Sequence, residues 1–203
     1  MQYPQRFLLA SLFLAACGMA NAATVSVTVT DGNGKPLDNA VVYLEPVGAK
    51  LPVKPAAGVQ IEQVKRQFNP RVVVVPVGTS VQFPNNDSVR HQVYSFSPAK
   101  SFELKLYAGM PSTPVLFDKA GVAVLGCNIH DLMSAWVLVV DTPLYAKTDA
   151  GKARIDEVPA GSFHLRAWHP GLGDAASADQ ALTVTTADAS ASVSLSLTAT
   201  LVP

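Results

Sequence analysis

One short stretch of this chain concentrates side chains that bind soft metals. Gly126-Cys127-Asn128-Ile129-His130-Asp131-Leu132-Met133 sets a thiol, an imidazole and a thioether three residues apart. A second imidazole, His91, lies upstream, behind an Asn85-Asn86-Asp87 turn. One Cys, two His and one Met are the donor set of a blue-copper centre, in which thiolate and two imidazoles share a plane with the metal and the thioether sits weakly on the axis. The order of the donors matters as well. One comes early and three share a tight loop, which suits a β-sandwich whose site lies between two loops at one end. Zinc or another metal would also accept the thiolate and the imidazoles. The structural alternative makes Cys127 a core residue, each histidine a surface or hydrogen-bonded group, and Met133 packing. Beyond residue 22 the chain has one cysteine and two methionines, Met110 and Met133, so the three-by-three spacing weighs against coincidence. Met110, in Tyr107-Ala108-Gly109-Met110-Pro111, reads as loop packing. His164 and His169 read as structural, and Trp136 and Trp168 as packing residues.

The elements that must hold these donors are strands. The 203 residues are 49% hydrophobic and only 15% charged, with a formal net charge of zero, which describes one or two ordered domains. Soluble proteins average about 25% charged residues, and no basic stripe is present to neutralise phosphates, so nucleic acid is excluded as a partner. Thirteen glycines and 15 prolines, with recurrent Val, Ser and Thr, favour turns and strands. The expected fold is all-β.

The first 22 residues read as a signal peptide. Gln5-Arg6 supplies a positive start, Phe7 to Ala16 an apolar run, and Ala20-Asn21-Ala22 a small-x-small cleavage site. That run is shorter than the about 20 residues a bilayer span requires, and later apolar runs are strand-sized, so no transmembrane span is expected. A periplasmic protein follows. Leu14-Ala15-Ala16-Cys17 also resembles the bacterial lipobox, whose cysteine becomes a lipidated first residue, and the alternative is therefore a lipoprotein anchored to the membrane at Cys17. Cleavage after Ala22 would leave Cys127 alone. An odd thiol in an oxidising compartment is a buried hydrophobe, an intermolecular partner or a metal ligand.

Two separated pieces share one turn grammar. Thr24 to Thr30 alternates as a half-buried strand does, Asp31-Gly32-Asn33-Gly34-Lys35-Pro36 turns, and Ala40 to Leu44 is a second strand. Later, Thr148-Asp149-Ala150-Gly151-Lys152 turns again, Ala153-Arg154-Ile155 starts a strand, and Val158-Pro159-Ala160-Gly161 leads into the alternating Ser162 to Trp168. Over residues 24 to 46 and 145 to 170 this pattern resembles the carboxypeptidase-regulatory-like β-sandwich. Between the pieces, Asn69 to Phe83 holds two strands around Pro76-Val77-Gly78, and Ser101 to Leu106, Gly121 to Leu125 and Ser134 to Val140 add more, enough for a Greek-key sandwich. The organisation expected is a signal peptide over 1–22, a discontinuous outer sandwich over 23–58 and 143–203, and an inserted sandwich over 59–142.

Residues 69 to 141 resemble a cupredoxin, and the Cys-x-x-His-x-x-Met loop is most similar to that of the amicyanins. Val81-x-Phe83-x-Asn85, with His91 and Val93 after it, fits the cupredoxin strand and turn before the first histidine. As a whole, the chain resembles exported methylamine utilisation or plastocyanin-like proteins. The resemblance implies His91, Cys127, His130 and Met133 as ligands of one type 1 copper ion. It further implies an electron carrier that shuttles between a redox donor and a redox acceptor in the periplasm. Many cupredoxins carry Asn directly after the first histidine, tying the two ligand loops together. Here Gln92 stands in that place, which alters the hydrogen bonding around the ligands and with it the potential. An enzyme is not expected. Multicopper catalysis needs further histidine-bound ions, and the chain has four histidines and no His-x-His pair. The rival functions are a copper-handling protein and a non-redox structural or adhesive module.

Overall fold

A computed structural model of the chain describes residues 22–173 and 176–198. The signal segment up to Asn21, with the alternative lipid anchor Cys17, lies outside the described residues. The chain starts with β1 (Ala23–Asp31) and β2 (Val41–Pro46). The middle stretch forms β3 (Val59–Gln60), β4 (Glu62–Val64), β5 (Gln67–Asn69), β6 (Val72–Pro76), β7 (Thr79–Gln82), β8 (His91–Ser97), β9 (Lys100–Tyr107), β10 (Val115–Phe117), β11 (Gly121–Gly126) and β12 (Ser134–Val140). β13 (Tyr145–Lys147), β14 (Lys152–Val158), β15 (Gly161–Trp168), β16 (Ala178–Val184) and β17 (Ala189–Leu195) follow. A single 3-10 turn, Pro170–Leu172, is the only helical piece among the described residues, which are otherwise strands and turns, the all-β fold expected from the composition.

Strand pairing keeps the terminal pieces together and the middle stretch to itself. Sheets β14-β1-β17 and β13-β2-β15-β16 draw on the two ends of the chain, while β10-β7-β3, β6-β12-β11-β8-β9 and the hairpin β4-β5 draw on residues 59 to 140. The segments that enter and leave the middle stretch are tied together. Lys50 pairs with Asp141, and the Thr142 hydroxyl donates to the Leu44 carbonyl at 2.7 Å.

Alternation explains how one strand serves two cores. Ala135, Val137 and Val139 of β12 join Val75, Phe83, Val93, Phe117, Leu125, Cys127 and Met133 in one buried cluster. Leu138 and Val140 point the other way and join Val25, Val29, Leu44, Phe163, Leu165 and Trp168 of the terminal strands. Successive side chains on a strand face opposite sides, and here both sides are covered. Each fully buried aliphatic side chain contributes about 1.5–3 kcal/mol, so β12 binds the two groups of sheets to one another.

The remaining singled-out residues have structural places. His164 is exposed and pairs with Asp179 at 2.8 Å, beside Arg166, which bridges Glu45 and Asp179. Trp168 is buried, and Trp136 packs half-buried on the terminal core beneath the Arg71 guanidinium, 5.7 Å from the ring centroid. Met110, read as loop packing, is 52% exposed. His169 is buried and accepts a hydrogen bond from the Gly171 amide at 3.0 Å, capping the 3-10 turn.

Burial holds His169 below the ordinary histidine value, against a hydrogen bond to the Asp38 backbone. The unfolded chain therefore takes up this proton first as pH falls. The contribution of neutral His169 is complete above about pH 6.5 and is lost as pH drops through that value to the lower folded-state one. Denaturant titrations of the metal-free protein should show a shallower fall in stability on acidification for His169→Gln than for wild type. Identical slopes would remove His169 from the account.

Candidate metal centre

The proposed donors come together because three strands end side by side. β11 pairs antiparallel with β12 from Gly121↔Val139 to Gly126↔Ser134, so residues 127–133 form the loop that closes this hairpin. Within the loop the Met133 amide donates to the His130 carbonyl at 2.9 Å. Gly126 also pairs with Tyr94 of β8, which sets the start of β8, where His91 sits, beside the end of β11. A side chain at Gly126 is not tolerated without movement. An added Cβ would lie 2.7 Å from the Tyr94 ring, which packs over the backbone next to Cys127.

His91 and Cys127 are 0% and 4% exposed. His91 Nδ1 lies 3.8 Å from Cys127 Sγ, and the His91 and His130 ring centroids are 5.0 Å apart at 58°. One donor atom from each of His91, Cys127 and His130 falls within 4.8 Å of the others, the arrangement of a group that could hold a metal ion. His130 Nδ1 is buried and has no hydrogen-bond partner. Leaving such an atom unsatisfied costs about 1–3 kcal/mol, and a metal at the centre of the three donors would satisfy it. The donor set is soft, and the residues present fit a thiolate- and imidazole-bound ion. Met133 is 2% exposed and lies in the same buried cluster as Cys127.

The surroundings add a residue that the sequence reading passed over. His91 Nε2 lies 2.7 Å from Asp87 Oδ2, an atom that only accepts when the carboxylate is ionised, while His91 Nδ1 faces Cys127 Sγ. Burial alone would raise the Asp87 carboxyl. Hydrogen bonds from the Arg66 amide, His91 and the Lys65 amide outweigh that and hold it below the ordinary value. Its signal in the sequence was slight, a carboxylate four residues before the histidine in the Asn-Asn-Asp turn. Asn85 braces the same loop, donating to the carbonyls of Val89 at 2.9 Å and Tyr107 at 2.8 Å and accepting from the Asp87 amide. Gln92 turns away to Glu103 at 2.6 Å and does not join the two ligand loops.

Tyr107, opposite His91 on β9, donates to the Phe83 carbonyl at 2.6 Å. Burial pushes its hydroxyl up to about 12, against a hydrogen bond from Gln63, with the Cys127 charge adding to the rise. The solvent-facing surface of the loop sets two large apolar side chains among the exposed polar Asn128 and Asp131. Ile129 and Leu132, on either side of half-buried His130, are 47% and 62% exposed.

No family model and no curated protein matches the chain. Among solved structures, the chain is similar to a purple cupredoxin from Nitrosopumilus maritimus, at 24% identity and a TM-score of 0.36, over 40% of this chain and 99% of that one. A reduced amicyanin variant matches at 19% identity and a TM-score of 0.38, over 45% and 100% of the two chains. A copper-containing nitrite reductase from Thermus scotoductus matches at 23% identity and 0.39, over 56% of this chain and 28% of that one. The likeness to cupredoxins covers part of the chain, and the chain holds a His-Cys-His group that could bind a metal ion.

Proposed function

We propose that His91, Cys127, His130 and Met133 hold one type 1 copper ion and that the protein carries single electrons between two exported redox partners. The observation that carries this reading is the convergence of one donor atom each from His91, Cys127 and His130, with a buried His130 Nδ1 that lacks a partner. Copper bound there supplies a Cu(I)/Cu(II) couple, taking one electron from a donor protein and passing it to an acceptor. The chain's part is to keep the donors still. Cys127 is anchored by the β11–β12 hairpin, His91 by Asp87 and the start of β8, and both side chains are shut away from water, so the donor geometry need not rearrange when charge changes. The half-buried His130, flanked by exposed Ile129 and Leu132, is the place where the site comes nearest to a docked partner.

The terminal strands form a second, discontinuous sandwich over residues 23–58 and 143–203 in this reading, with the copper-bearing segment 59–142 inserted in it. That second sandwich contributes no donor and serves docking or tethering in the periplasm. No helix among the described residues is long and apolar enough to cross a membrane.

Metal titration followed by redox cycling tests the function. One copper per chain, reduced and reoxidised reversibly without release of the ion, is the carrier's result. Copper that passes readily to a competing chelator would instead mark a copper-handling protein. Met133 gives a sharper expectation, because a weak axial sulfur tunes the potential more than it holds the ion. Met133→Gln should keep copper and lower the reduction potential, since an oxygen donor favours Cu(II). An unchanged potential and spectrum would make Met133 a packing residue only.

A further inference from the structure

We propose that Asp87 is a positioning residue for the metal centre. Its carboxylate fixes the His91 ring with Nδ1 toward Cys127 and sets the strength of that nitrogen as a donor, and the Lys65-Arg66 turn in turn fixes Asp87. This inference rests on the copper reading. Three observations carry it. His91 Nε2 and Asp87 Oδ2 are 2.7 Å apart, with side chains 0% and 14% exposed, so water does not compete for the contact. The other hydrogen bonds to the carboxylate come from backbone. Lys65 N donates to Oδ1 at 2.7 Å and Arg66 N to Oδ2 at 2.8 Å. Both turn residues have positive φ, 54° and 59°, an unusual conformation for side chains of this size. Together their two amides converge on one anion, as successive backbone N–H groups do in an anion nest.

The hairpin that carries this turn is itself held to the ligand loop. Gln63 N donates to the Pro84 carbonyl, and the Asn86 amide donates to the Gln63 carbonyl, at 2.8 and 2.9 Å. The Asn86 side chain donates to Glu62 at 2.8 Å. With the turn clamped, the carboxylate cannot swing away, and the His91 proton is confined to Nε2. A carboxylate acceptor on the far nitrogen raises the basicity of a ligating imidazole and fixes its tautomer. A stronger donor with a negative charge behind it favours the more highly charged Cu(II), so Asp87 lowers the potential.

The test uses the full chain and two readouts. Asp87→Asn keeps the size and one acceptor oxygen but removes the charge. Loss of such an outer partner typically costs about 10- to 100-fold in metal affinity. A Cu(II) affinity that falls about tenfold more than that of Cu(I) raises the potential by about 59 mV. Asp87→Glu, which restores the charge, should bring the potential back toward wild type. In the metal-free wild type, ring-nitrogen chemical shifts should show the His91 proton on Nε2, an arm that stands even if a variant fails to fold. A blue wild type whose Asn variant has an unchanged potential, or a metal-free His91 with its proton on Nδ1, overturns the role of Asp87 alone. A colourless copper-treated wild type overturns the copper reading and this inference with it.

Discussion

Cys127→Ser should leave a folded protein without a blue band. The thiolate is the metal ligand, and an alcohol in its place stays protonated and is a hard donor, so both the thiolate-to-copper absorption and most of the copper affinity go together. The loss should exceed the about 10- to 100-fold that removal of an outer hydrogen-bond partner costs. Ser is close in shape to Cys, and the site is 4% exposed, so the fold should survive. A newly buried hydroxyl without a partner costs about 1–3 kcal/mol, readable in denaturant melts of the metal-free protein. Retention of the blue colour would remove Cys127 from the ligand set.

Leu138→Ala should separate stability from metal chemistry. Leu138 is 3% exposed and faces the terminal strands, while its neighbours Val137 and Val139 face the cluster that contains Cys127 and Met133. Deleting a buried leucine side chain typically costs about 2–5 kcal/mol, with the cavity left behind setting where in that range it falls. The copper spectrum and potential should be unchanged, because the cavity opens on the side of β12 away from the donors. Denaturant melts and visible spectra of the variant check both halves. A spectrum that shifts with Leu138→Ala would mean that the two cores are coupled through β12 to the site itself.

The donor loop was legible because its chemistry is local. Cys127, His130 and Met133 fall within one short segment, residues 127–133, before a strongly apolar strand, and no tertiary knowledge is needed to see them as a group. The alternating β1 and β15 were equally plain, since period-two burial is written directly in their residue types, and β12 was plain from its apolar run Ala135 to Val140. The hairpin over residues 62–69 was not read. Its turn is Lys65-Arg66, without the Asn-Gly or Asp-Gly pair that usually marks a two-residue loop with positive φ, and its strands are three residues each. Asp87 was missed for a related reason, since its partners are backbone amides some twenty residues away, and no side-chain type announces those. The sharing of β12 between two cores was also hidden. Val137 and Leu138 are alike as residues, and only the sheets on either side reveal that each has a different core to fill.

The visible absorption spectrum of the full chain during titration with Cu(II) tests the central claim most directly. The account predicts an intense blue thiolate-to-copper band that grows to a plateau at one equivalent and vanishes on reduction. Copper that binds without this band, or a protein that takes up no copper at the site of His91, Cys127 and His130, would contradict it.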